Sequence, residues 1–262
     1  MASPGLVLLK LGGSLLTFKA RPLSFNAEAT RSVCRALQSL RKPLVIVHGG
    51  GSFGHFFAAK HNISRSLTKA SPLGVAEVKT AMMDLHLRLL TSLQDAGLAP
   101  FSLPPVSLLE NAGMRSSAAR LLNRLVDSQM VPVTYGDVLQ TRGGFRIVSG
   151  DTLMFELARI LRPAKALFAL DVDGIYEDAG LTRGPLNELP AGGKGFRYLL
   201  RGVRSRTSDA TGGILFKVRE GRRIASLGID VYFVNGLKPE RLVKAINDGV
   251  LEGTLIKGRT RD

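Results

Sequence analysis

Leu6-Val-Leu-Leu-Lys10-Leu-Gly12-Gly13-Ser14 decides how the rest of the chain is read. A short, unbroken apolar run is the pattern of a strand covered on both faces, as in a parallel sheet. This one ends in a lysine and runs straight into a glycine turn. A second run, Pro43-Leu-Val-Ile-Val-His48, breaks into Gly49-Gly50-Gly51-Ser52-Phe53-Gly54-His55, and much later Thr211-Gly212-Gly213 opens a helix carrying Lys217. Glycine lets the backbone approach a ligand closely and adopt positive φ. Backbone N–H groups at a helix start favour an anion, and lysines neutralise charge that develops during phosphoryl transfer. Three glycine turns and two lysines therefore point to phosphate chemistry. Neither a P-loop lysine signature nor a protein-kinase catalytic loop is present, so the phosphate site is of another kind.

Composition narrows the class. The 262 residues are 45% hydrophobic and 22% charged, which describes an ordinary globular protein and permits one large domain. One domain, 1–262, is expected, because no linker or internal repeat divides the chain. The single cysteine, Cys34, excludes an internal disulfide and leaves no cysteine cluster for zinc, so no metal-ligating residue set is assigned. The Leu6–Leu9 run is too short for a signal core and no stretch approaches the roughly 20 apolar residues of a membrane span, so a cytoplasmic protein without membrane contact is expected. Net charge is +15. Residues 191–223 hold nine Lys/Arg against Asp209 and Glu220, nine minus two giving +7, with few aromatics to stack bases. A solvated basic face beside a nucleotide site is the expectation, and nucleic acid is not an expected partner.

Strand and helix signals alternate along the chain. Asn26 is placed to cap a helix reaching about Leu40, followed by a strand over Leu44–Val47. Helices are predicted over Ser52–Lys60 and from about Leu73 to Asp95, the second ended by Gly97. A short strand near Phe101–Leu103, a helix from Ser116 to Ser128 and a strand at Val131–Val133 come next. Asp137–Thr141 and Phe145–Val148 alternate around Arg142-Gly143-Gly144 as a hairpin. Ser149-Gly150-Asp151-Thr152 opens a helix to about Leu161, and a strand over Ala166–Leu170 runs into the acidic turn Asp171-Val-Asp173-Gly174. A surface loop over 181–195, a helix over Asp209–Arg223, a strand over Ile229–Val234, a helix over Pro239–Asn247 and a last strand over Gly253–Lys257 complete the series. Lys10, the Gly49 turn and Asp171 all stand at strand ends, where ligands gather in open α/β sheets.

The ordered set Lys10-x-Gly12-Gly13-Ser14, His48-Gly-Gly-Gly-Ser-Phe-Gly-His55, Ser149-Gly150-Asp151, Asp171-Val-Asp173-Gly174 and Asp209-Ala-Thr-Gly212-Gly213 with Lys217 resembles the amino acid kinase family over almost the entire chain. The resemblance implies an α/β fold, a three-layer αβα sandwich with an open, mainly parallel sheet. It implies a homodimer, ATP and Mg2+ as cofactors, an acceptor-binding half over about 1–150 and an ATP-binding half over about 151–262. It also implies the roles. Lys10 and Lys217 would hold the migrating phosphoryl group, and Asp151 would orient both. Gly12, Gly13, Ser14 and Gly51 would face the ATP phosphates, with Asp171, Asp173 and Gly212 on the nucleotide side. Gly50, Gly54 and Gly150 would lie against the acceptor phosphate, Lys19 would reach over from its loop, and Val75 and Val78 would wall the acceptor's tail.

His55 sets the expected acceptor. A histidine at a helix start can donate a hydrogen bond to an acceptor that already bears phosphate. The family resemblance, in its Gly49-Gly-Gly-Ser-Phe-Gly-His55 variant, implies isopentenyl phosphate as that acceptor, converted to the diphosphate. Another small acceptor, such as a different prenyl phosphate, fosfomycin or glutamate, is the alternative within kinases; a non-catalytic nucleic-acid-binding protein of the same fold is the alternative outside them. His48 is open between a site and a structural role, while His61 and His86 are read as surface or structural. Valine at position 75 rather than a bulky aromatic implies room for somewhat longer prenyl chains.

Overall fold

The structure, a computed structural model, describes residues 5–64, 70–111, 113–176, 184–190, 213–249 and 252–259. Residues 191–212, with most of the basic excess and with Gly212, and the start of the helix expected at Asp209 lie outside these, as does most of the loop expected over 181–195.

The first strand, β1 (Val7–Leu11), is buried at every position. It lies between two parallel neighbours, β2 (Leu44–His48) and β9 (Lys165–Leu170). Beyond β2 come β6 (Val131–Tyr135) and the edge strand β3 (Pro100–Ser102); beyond β9 come β10 (Asp230–Asn235) and β11 (Gly253–Ile256). Only β11 runs antiparallel in this sheet. The chain thus builds outward from β1 on one side and returns to build from β9 on the other. The carboxyl ends of β1, β2 and β9 flank the point of reversal, where such sheets bind ligands.

Alternation along β1 assigns the two faces. Leu6 and Leu8 join the core beneath the helices α6 (Ala118–Asp127), α7 (Gly150–Leu161) and α8 (Gly213–Ala225). Val7, Leu9 and Leu11 join the opposite core, under α1 (Gly13–Leu16), α2 (Ala27–Gln38), α4 (Pro72–Asp95) and α9 (Pro239–Asn247). This is the expected αβα sandwich. A third, smaller apolar cluster lies off the sheet, where α3 (Gly51–Lys60) and α4 meet the hairpin β7 (Asp137–Thr141) and β8 (Gly144–Val148).

Local signals match the caps. Asn26 accepts from the Ala29 amide at 3.2 Å, and Ser71 caps the long helix by accepting from Gly74 at 3.0 Å. No local signal marks α1, α5 (Pro105–Leu108) or the short hairpin β4 (Leu109–Glu110) with β5 (Gly113–Met114). Each is a single turn or pair, too short to carry a periodicity.

The first two glycine turns pack backbone against backbone. A Cβ on Gly13 would lie 2.3 Å from the Gly51 nitrogen, and Gly51 itself has φ +48°, a conformation L side chains rarely adopt. Thr17 is buried and ties the turns together. Its hydroxyl donates to the Gly13 carbonyl at 2.8 Å and accepts from the Ser52 amide at 2.9 Å. Gly13→Ala is expected to force the turns apart and to destabilise the fold by about 1–3 kcal/mol, the usual range for overpacking. Urea unfolding measures this, and an unchanged midpoint would show that the turns do not need this contact.

Candidate active site

Lys10 shares its face of β1 with Leu6 and Leu8, so its side chain points toward the starts of α7 and α8 rather than into bulk water. It is only 3% exposed. Its ammonium hydrogen-bonds Asp151, in the first turn of α7, in a buried ion pair. Lys217, on α8, brings its ammonium to 3.8 Å from the other oxygen of the same carboxylate. Two ammonium groups from distant parts of the chain therefore converge on one acid. Ser149, not Asp151, caps α7, accepting from the Thr152 amide at 3.2 Å.

Above the pair lies a cleft of about 720 Å³. Of the residues singled out in the sequence, Lys10, Gly13, Ser14, Lys19, Gly50, Gly51, Gly54, His55, Val78, Gly150, Asp151, Asp171 and Lys217 line it. One end is polar. There Asp171 accepts from the Ser14 hydroxyl at 2.7 Å, and the exposed Lys19 stands 3.5 Å from its other oxygen. Gly50 and Gly51 are left to meet an anion, since the Ser52 amide is taken by Thr17 and those of Phe53 and Gly54 by the Gly50 carbonyl. The other end is apolar, with Ala58, Val78, Met82, Val138 and Ile147.

Three of the expected site residues stand off the cleft, and a fourth, Gly212, lies outside the described residues. Gly12 does not line the cleft, and its N–H already donates to the Ala169 carbonyl at 3.0 Å, closing β1 onto β9. Asp173 is also off the cleft. Its carboxylate accepts from Asn235, Lys238 and Arg241 at 2.8, 2.9 and 2.9 Å, so it ties the turn after β9 to the end of β10 and the start of α9. Those donors, Asn235 and Lys238 foremost, hold its pKa below the usual carboxylate range. Val75 shares the helix face of Val78 but sits one turn back, in the small cluster with Ile63. Chain from His61 to Ser64 covers that turn: the His61 ring packs on Gly74, and the Ser64 carbonyl accepts from Ile147.

Other contributors carried no local signal. Lys79 and Asp137 form a 2.5 Å ion pair that joins α4 to β7 beside the apolar end. Burial pushes the Asp137 carboxyl up, and Lys79 opposes this. Glu220, buried on α8, pairs with Arg223 at 2.7 Å, whose guanidinium lies 3.6 Å over the Phe155 ring on α7. That contact holds the helix carrying Lys217 against the one carrying Asp151. A lone acid or arginine at helical spacing reads as a solvated surface, and only the packing of α7 on α8 distinguishes these.

His48 and His86 are both buried, so for His86 the structural alternative holds and the surface one does not. Burial lowers their pKa values to about 3 and about 4.

Residues 5–235 match the model of the amino acid kinase family. The isopentenyl phosphate kinase of Thermoplasma acidophilum is 33% identical over 90% of this chain and 94% of its own length. That of Methanothermobacter thermautotrophicus is 30% identical over 97% of this chain and 100% of its own. The crystal structure of the T. acidophilum isopentenyl phosphate kinase product complex superposes with a TM-score of 0.79 at 29% identity, covering 96% of this chain and 100% of that one. The chain belongs to the amino acid kinase family. Its motifs thus sit on the fold that the sequence resemblance implied.

Removing one member of a buried ion pair leaves an uncompensated charge, which costs about 3–5 kcal/mol. Lys10→Ala is therefore expected to lose both turnover and stability, whereas Lys217→Ala, at the cleft wall, loses turnover while its melting temperature stays near wild type. The double variant Lys10→Met/Asp151→Asn should regain stability without activity. Thermal melts beside ATP-consumption rates separate the three, and a stable Lys10→Ala protein would contradict the buried pairing.

The two buried histidines give a second expectation. In the unfolded chain histidine takes up a proton near pH 6.5, and the folded values lie well below that. The unfolded state therefore binds more protons between these limits, so stability is complete above about pH 6.5 and is lost as pH falls toward the folded values. The melting temperature should begin to drop below about pH 6.5, before carboxylates titrate. A flat profile down to about pH 5 would be the contrary result.

Proposed function

We propose that the protein transfers the γ-phosphoryl group of ATP to isopentenyl phosphate, giving isopentenyl diphosphate. One observation carries this reading. Lys10 and Lys217 meet on Asp151 at the floor of a cleft that is polar at one end and apolar at the other. A prenyl monophosphate has that same division, an anion attached to a branched hydrocarbon. The isopentenyl phosphate kinases to which the chain is similar support the same substrate.

The acceptor is already an anion at neutral pH, so its phosphate oxygen attacks the γ-phosphorus in line without a strong base. What the protein supplies is position and charge. Lys10 and Lys217 neutralise the migrating group, and Asp151 keeps the two ammonium groups from separating. Gly13, Ser14 and Gly51 face the ATP phosphates. His55, Gly50, Gly54 and Gly150 hold the acceptor phosphate, and Lys19 reaches the transferred group from its loop. The N-terminal half takes the acceptor and the C-terminal half the nucleotide. Met82, with Val78, takes over the wall role first given to Val75.

Magnesium, when bound, supplies charge neutralisation across the ATP phosphates. Among the described residues no group of three or more His, Cys, Asp or Glu could hold a resident ion, which fits a cation carried in by the nucleotide, with Asp171 as the cleft carboxylate on that side. A homodimer, implied by the family resemblance, has an apolar face available: Met83 and Leu87, one turn apart on α4, are 60% and 63% exposed. No helix among the described residues is long and apolar enough to cross a membrane.

Incubation with ATP, magnesium and isopentenyl phosphate should give isopentenyl diphosphate by mass spectrometry, and its absence while another acceptor consumes ATP would replace the substrate. With His55→Ala, KM for the acceptor should rise while ATP affinity holds. Val75 stands off the cleft, so the room expected from it does not carry over; dimethylallyl and geranyl phosphate, assayed alongside, test how long a chain the compartment walled by Val78 and Met82 takes. Each misfitting methylene in an apolar pocket is worth about 10–200-fold in kcat/KM, so strict rejection of the geranyl compound would place the wall nearer than Val78 and Met82 suggest.

A further inference from the structure

Beneath the second glycine turn, three side chains from three elements form a line that the reaction above does not use. His48, the last residue of β2, has Nδ1 3.1 Å from the Gly49 carbonyl oxygen. Its Nε2 lies 3.0 Å from Nδ1 of His86 on α4, and Nε2 of His86 lies 2.9 Å from the Ser102 hydroxyl on the edge strand. Tyr135, on β6, packs against both rings, with centroids at 5.2 and 4.4 Å.

Proton positions along this line follow from its first member. A carbonyl oxygen only accepts, so Nδ1 of His48 carries the proton. In a neutral ring the other nitrogen is then an acceptor. Nε2 of His48 must therefore receive its bond from Nδ1–H of His86, which leaves Nε2 of His86 to accept from the Ser102 hydroxyl. One carbonyl thus dictates both tautomers. A proton added to His48 would set N–H against N–H, and the surroundings oppose it too: His86, Tyr135 and the Lys10 ammonium face His48, and the ring is fully buried.

We infer that His86 is a positioning residue for phosphoryl transfer, locking His48 in its Nδ1–H form so that the Gly49 carbonyl stays turned down onto the buried ring and the Gly50 N–H, on the opposite side of the same trans peptide, stays turned toward the cleft that Gly50 lines. His48 stands where this matters. Its own carbonyl accepts from Gly136 at 3.2 Å, and a Cβ on Gly150 would lie 3.0 Å from it, so three glycine segments that flank the cleft meet there. The kinetic part of this inference rests on the proposed reaction, whereas the tautomers do not.

Long-range proton–nitrogen NMR correlations read each ring directly in the full-length protein at pH 7.5. The expected result is a neutral Nδ1–H ring for both His48 and His86. A proton on Nε2 of either, or a charged ring, would overturn the inference even if isopentenyl phosphate proved not to be the acceptor. Kinetics supply the second arm. His86→Asn keeps an N–H where Nδ1–H stands and should retain kcat/KM within about threefold, whereas His86→Leu leaves the His48 nitrogen unpaired and should lose about tenfold or more. Equal losses in the two variants, or none in His86→Leu, would overturn it. If the leucine variant does not fold, the wild-type spectrum decides.

Discussion

A lysine and an aspartate separated by 141 residues share a buried hydrogen bond at the centre of this molecule, and most of the architecture follows from it. Taking two charges out of water costs several kcal/mol per ion unless the pair is held well. The sheet order provides the holding. With β1 between β2 and β9, Lys10 is walled on both sides, and the parity of the strand directs it onto the face where α7 begins. Asp151 reaches it from the first turn of that helix, and the same carboxylate lies near the ammonium of Lys217. A carboxylate between two ammonium groups leaves a net positive site in a cleft partly shielded from water. There an incoming phosphoryl group is attracted more strongly than at an exposed surface.

The glycines around this pair do two jobs that the sequence cannot separate. Gly13 and Gly51 are glycine because their turns touch, with no room for a Cβ between them. Once they touch, the backbone at both turns is brought within reach of the cleft. Close packing and anion binding therefore select the same residue type at the same place. Thr17 belongs to this unit, since its one hydroxyl serves both turns, and the cleft-facing backbone owes its shape to a threonine that does not line the cleft.

Much of this was legible from local pattern. Apolar runs ending in glycine gave the strands and the side of the sheet on which chemistry would gather, and serine and asparagine gave the caps. The ordered motifs gave the lysines and Asp151. What stayed hidden depends on partners far along the chain. Gly12 sits in a phosphate-type turn, yet its amide completes the β1–β9 ladder, which only register reveals. Asp173 sits two residues from Asp171 and faces the other way, toward Lys238 and Arg241. Val75 and Val78 share a helical face, but the segment before α4 folds back over the first of them. Lys79 with Asp137 and Glu220 with Arg223 look like surface charges until the elements that bear them are packed.

The central place of β1 also has a consequence for how the chain is made. It is made before both of its neighbours, finds β2 within 40 residues, and then must wait for β9, whose first residue is Lys165, before its other edge is paired. Through that interval a strand apolar but for Lys10 offers unpaired amides along one edge, the circumstance in which proteins of this size misassemble. Pairing of the second edge of β1 is thus a late event in synthesis, and conditions that slow or crowd it lengthen the time for which that edge stands open.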